Sequence, residues 1–202
     1  MRLVICPGFH DRYLTECFLA GLSEFWESSA DDRPYLQMLD RALVFPAHQH
    51  PPYSAIDIFN FLCSQEQIVG AIPPRSPSSE SLAFVSFSAG GVGAIGAAWM
   101  WQQFGGKVGA FFALDGWGVP LGGDFPAHRI SHDRFTHLSS ALLGSGGESF
   151  WADPPVAHLD LWKSPHRVTG WHISRTAEGV ETAKPTTAAA FLVHLLKQYG
   201  VN

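Results

Sequence analysis

Ser88 stands in Ser86-Phe87-Ser88-Ala89-Gly90, between an apolar run over 82–87 and a small-residue segment over 89–98. A strand that turns directly into a helix around one serine is the sequence form of a nucleophile elbow. Such a turn strains the backbone at the serine and leaves room for only very small neighbours two positions to either side. Gly90 meets that requirement, and Ser86 stands where glycine is usual, so the motif is Ser-x-Ser-x-Gly. The same residues would also suit an ordinary strand-to-helix junction with a serine N-cap. The two readings differ in what the Ser88 hydroxyl does.

A serine hydroxyl is a poor nucleophile at neutral pH. It needs a histidine to take its proton and an acid to orient that histidine. It also needs two N–H donors where negative charge develops on the attacked carbonyl oxygen. Of the ten histidines, His158 has the best position for the base, since it follows the last apolar strand run and the Pro154-Pro155 turn. Two acids compete. Asp133 ends the run over 127–131, and Asp115 ends the run over 108–114. Asp133 is favoured, because its strand neighbours that of the histidine. Asp115 precedes Gly116, and Asp-Gly is a turn signature. Asp160 lies too close to His158 in sequence to point back at it. The oxyanion donors are expected from the amides of Ala89, directly after the serine, and Phe9, after Pro7-Gly8.

These residues need a scaffold that gathers strand ends. Apolar runs over 3–6, 42–45, 82–87, 108–114 and 149–152, with a weaker segment over 127–131, read as six strands. Helical periodicity falls between them, over 14–22, 54–62, 89–104 and 135–143. A terminal helix is expected to open at Pro185, with Phe191, Leu192, Leu195 and Leu196 on one face. Alternation of strand and helix indicates an α/β fold, a doubly wound and mainly parallel sheet with helices on both faces. In such sheets the chemistry sits beyond the carboxyl ends of the strands, where these candidates lie.

The 202 residues suit one α/β domain, and a 46% apolar fraction with 15% charged residues describes a compact globular chain. A net charge of −5 without a Lys/Arg cluster argues against nucleic acid as a partner. No run is long enough to span a bilayer. Three cysteines, an odd set in apolar surroundings, point to free thiols in a reducing, cytoplasmic setting. His48, His50, His128, His132 and His137 lack the spacing of a metal site, so no metal is expected. Residues 72–80, rich in Pro and Ser, are expected to form a surface loop.

Taken together the chain resembles the α/β-hydrolase superfamily, in particular its small bacterial lipases and esterases that lack a cap domain. The resemblance extends from residue 3 to the terminal helix. It implies Ser88 as nucleophile, Asp133 (or Asp115) as acid, His158 as base, and Phe9 and Ala89 as oxyanion donors. It also implies hydrolysis of a small carboxylic ester or thioester through an acyl-enzyme, without a cofactor. The alternatives are an acyltransferase built on the same site, or a non-catalytic binding protein of the same fold. Trp117, Phe125, Phe135, Trp151 and Trp162 are candidates to line an acyl pocket.

Overall fold

A computed structural model describes residues 1–26, 33–65, 80–144, 146–175 and 180–200. The chain runs β1 (Arg2–Cys6), α1 (Arg12–Trp26), α2 (Arg33–Asp40), β2 (Leu43–Val44), α3 (Ala55–Gln65), β3 (Leu82–Phe87) and α4 (Ala89–Gln103). It continues through β4 (Val108–Leu114), β5 (Ala127–Ser131), α5 (Arg134–Ala141), β6 (Glu148–Ala152) and α6 (His158–Lys163). β7 (Thr169–Arg175), β8 (Glu181–Thr187) and α7 (Ala188–Gly200) complete it. The stretch expected as a surface loop over 72–80 lies, up to residue 79, outside the described residues.

All eight strands join one sheet in the order β2-β1-β3-β4-β5-β6-β7-β8. From β2 to β6 the pairings are parallel, and β6–β7 and β7–β8 are antiparallel. Alternate strand residues feed two cores. Leu3, Ile5, Val85 and Phe112 meet α1, α6 and α7 on one face. Val4, Cys6, Phe84 and Phe111 meet α3 and α4 on the other. Every residue of β3 is buried, as a strand covered on both faces requires. The α/β class is as expected.

The sheet itself differs from expectation: it is mixed and has eight strands, not six. The extra pair is the β7–β8 hairpin, whose last strand reads Glu-Thr-Ala-Lys-Pro-Thr-Thr and is mostly exposed. An edge strand needs no apolar run, so periodicity does not reveal it. Pro185 lies inside β8 rather than at a helix start. An edge strand tolerates proline, because one side of its backbone has no partner to donate to. The terminal helix opens three residues later, where Thr187 Oγ1 accepts from the Ala190 amide at 3.2 Å.

Among the described residues no helix is long and apolar enough to cross a membrane. The three cysteines are free. Burial pushes the Cys6 thiol well above the ordinary thiol range.

At the amino ends of β5 and β6, His128 is buried, stacked on Phe112, and bonded to the Glu148 carbonyl and the Tyr199 hydroxyl. Burial holds its pKa below the ordinary imidazole value, and burial does the same to His137. Below about pH 6.5 the unfolded chain therefore binds protons that these two folded sites refuse, so stability falls as pH drops from there. The expected result is a flatter dependence of Tm on pH between 6.5 and 5 in His128→Gln than in the wild type. Parallel curves would remove His128 from this role.

Candidate functional site

The elbow is built from the end of β3. Ser88 has φ 52° and ψ −126°, and its side chain makes no capping hydrogen bond to α4. The hydroxyl is therefore not spent on the helix. Among the described residues only Ser88 and Asp115 combine a side chain with positive φ, at 52° and 49°. Such backbone conformations cost roughly 1–3 kcal/mol each and persist where surrounding structure imposes them. A Cβ at Gly90 would run into the carbonyl oxygens of Cys6 and Pro7, so glycine is required there. Ser86 fits because its Oγ, fully buried, donates to the Phe112 carbonyl at 3.1 Å.

The loop after β1 passes directly beside the elbow. A Cβ at Gly8 would lie 3.0 Å from the Phe87 carbonyl oxygen and 3.1 Å from Ser88 Cβ. This close approach sets Gly8 against Ser88, while the Phe9 ring that follows is exposed and leans on Tyr53 at 5.8 Å. Ala89 is the first residue of α4, where the backbone N–H has no acceptor within the helix.

His158 is the first residue of α6. Two anchors bring it to the elbow. The Trp162 ring of α6 stacks on Phe18 of α1 at 3.9 Å. The Val156 amide donates to the His132 carbonyl at 3.1 Å, tying the preceding loop to the end of β5. The His158 ring then lies on Phe87, the residue before Ser88, at 4.6 Å.

His158 Nδ1 donates to Asp115 Oδ2 at 2.8 Å. Since a carboxylate only accepts, the proton sits on Nδ1, and a neutral ring keeps its lone pair on Nε2. Asp115 is almost wholly buried, its side chain 1% exposed. Its Oδ1 accepts the His132 amide at 2.8 Å. The acid favoured by the sequence, Asp133, is not the partner of His158. Its Oδ1 accepts the Thr136 amide at 2.6 Å and caps α5. Burial disfavours the ionised form of Asp133, but the Thr136 bonds and His132 outweigh it and lower its pKa. The signal was present in the chain: an aspartate three residues before a threonine at a helix start is a capping pattern.

Ser88, Ala89, Asp115, His132 and His158 border one cavity of about 410 Å³, walled by Val92, Trp117 and Phe135. Of the five aromatic candidates, only Trp117 and Phe135 reach it. Phe125 and Trp162 are core residues, and Trp151 lies under the Arg134 guanidinium. A second cavity of about 260 Å³ opens on the other side of the β1 loop, lined by Leu19, Phe45 and His48 among others, and contains none of Ser88, Asp115 or His158.

Sequence reasoning missed Arg129. Its guanidinium is buried and donates to the carbonyls of Gly116, Val119, Leu143 and Gly144. Burial lowers its pKa to about 10. The four bonds fasten the loop that carries Asp115 and Trp117 onto the end of α5. An arginine in the middle of a strand expected to be covered on both faces, Ala127–Ser131, was the available signal.

The histidines considered as metal ligands diverge: His48 pairs with Gln49, and His128 faces Glu148. Asp115, His132 and His158 do converge, with one nitrogen or oxygen of each within 4.8 Å of the others. His158 Nδ1 is hydrogen-bonded to Asp115 Oδ2, and His132 Nδ1 lies 2.9 Å from the same oxygen. No family model matches the chain, and no curated protein matches it.

Proposed function

We propose that the chain is a serine hydrolase of the α/β-hydrolase type, cleaving a carboxylic ester or thioester through an acyl-enzyme on Ser88. One observation carries this. The only two strained non-glycine residues described are a serine freed from capping and the aspartate that holds His158, and all three side chains meet in one cavity. Strain of this kind gathers at functional sites.

In the proposed reaction Ser88 Oγ attacks the carbonyl carbon while His158 Nε2 takes the hydroxyl proton. Asp115 stabilises the imidazolium that forms. The amides of Ala89 and Phe9 receive the oxyanion. Collapse breaks the bond to the alkoxide or thiolate, which leaves with the proton from His158. Water then attacks the acyl-serine, giving a proton to His158. Collapse of the second intermediate releases the acid and returns that proton to Ser88 Oγ. Only residues 115–126 separate β4 from β5, too few for a cap, so a single uncapped domain is part of the proposal. A small-molecule substrate fits the cavity volume, and free thiols suit a reducing compartment.

A fluorophosphonate probe tests the proposal. The expected result is a single phosphonyl adduct on Ser88, located by peptide mass spectrometry, and none in Ser88→Ala. A folded wild-type protein that takes up no probe under conditions where a control serine esterase is fully labelled would refute it.

A further inference from the structure

His132 belongs neither to the elbow nor to the Asp115–His158 pair, yet it holds both oxygens of Asp115. Its backbone N–H donates to Oδ1 at 2.8 Å, and its ring Nδ1 lies 2.9 Å from Oδ2. That second contact is off the line of a good hydrogen bond, and Nδ1 is shut away from water. A bare nitrogen lone pair at that distance from a carboxylate oxygen would be repelled, so Nδ1 carries a proton. On the other side of the ring, Nε2 lies 3.4 Å from Asp133 Oδ2. An imidazole with a carboxylate at each nitrogen is satisfied at both only as the imidazolium. We infer that His132 is a positioning residue: its charged ring, strung between Asp115 and Asp133, fixes the Asp115 carboxylate and tunes the basicity of His158.

The groups that face this ring are few. Asp115 comes from the end of β4, Asp133 from the start of α5, and His158 from α6, its ring 6.0 Å away and nearly perpendicular. Arg134, next along α5, is turned over the Trp151 ring instead. The Asp115 contact and the charges of both aspartates hold His132 above the ordinary imidazole pKa, against the cost of its burial. His158 thus shares one carboxylate oxygen with a cation. When His158 accepts the Ser88 proton, a second positive charge forms beside the first. Like charges at that spacing repel, and removing the first relieves the second.

This inference rests on the hydrolase reading for its kinetic consequence and on the site geometry alone for the charge of His132. Two measurements separate them. In Ser88→Ala labelled with ¹⁵N-histidine, both His132 ring nitrogens are expected to show the protonated shift at pH 6.5, where an ordinary imidazole is half protonated. A neutral His132 at that pH overturns the inference whether or not the protein is a hydrolase. If Ser88 takes the probe, the acid limb of kcat/KM is then compared across variants. His132→Gln removes the charge but keeps the backbone bond to Asp115, and its limb is expected to move up by about one pH unit, a tenfold change in proton affinity. His132→Lys restores a cation and is expected to bring the limb back toward the wild type. A uniform loss at every pH, or a limb that stays in place in His132→Gln, would leave His132 a merely structural residue and overturn the proposal.

Discussion

Asp115→Asn is expected to lower kcat on a p-nitrophenyl ester by about 10³–10⁴-fold, whereas Asp133→Asn lowers it at pH 8 by less than about threefold. The reason is the hydrogen-bond count at Asp115. Both of its oxygens accept, one from the His132 amide and one from His158 Nδ1. An asparagine amide has one acceptor and one donor, so its NH₂ must face an N–H on one side. If it faces His158, the ring is driven to the tautomer with its proton on Nε2, and no lone pair remains for the Ser88 proton. Asparagine at 133, by contrast, caps a helix as well as aspartate does. The Thr136 bond survives, and so does α5. Equal losses in the two variants, or a larger loss in Asp133→Asn, would mean that His158 is oriented by a different acid.

The second large effect separates stability from chemistry at the elbow. Ser88→Gly is expected to abolish probe labelling and to reduce turnover by about 10⁵-fold, since the nucleophile is gone. It is also expected to raise stability by about 1 kcal/mol. At φ 52° and ψ −126° a side chain is strained and glycine is not. Relief of that strain exceeds the extra entropy glycine loses on folding. For a chain of this size the gain corresponds to about 2–4 °C in Tm. Ser88→Ala keeps the Cβ and therefore the strain, so it loses the same activity without the gain. Thermal unfolding of the three proteins decides the matter. If Ser88→Gly melts at or below the temperature of Ser88→Ala, the elbow is not a strained turn.

Nearly all of the parallel sheet was legible, because strands covered on both faces must be continuously apolar: β3 and β4 lie at the residues where the runs over 82–87 and 108–114 placed them. The hairpin β7–β8 was not, since an edge pair with a solvated face carries Thr, Lys and Pro instead. α6 was missed for a different reason. Six residues are too few to show a helical period, and its place is fixed by Trp162 against Phe18, a contact across 144 positions.

The sequence by itself singled out the strand ends where the candidate residues lie. Ser88 with Gly90, Gly8 with Phe9, and His158 after the Pro-Pro turn are local patterns, and the constraints on a tight turn act over a few residues. Only the tertiary structure decided which acid meets the histidine. Asp115 and Asp133 each follow a strand, and although Asp133 sits in a local capping pattern, nothing local places Asp115 beside His158. The choice comes from how β4 and β5 end. Asp133 is turned outward to close the first turn of α5, while the positive φ of Asp115 buries its carboxylate between His132 and His158. That outcome depends on loops anchored by Arg129 and on the docking of α6, contacts between residues far apart in the chain. Local residue patterns select the groups, and packing over long sequence distances selects the partners.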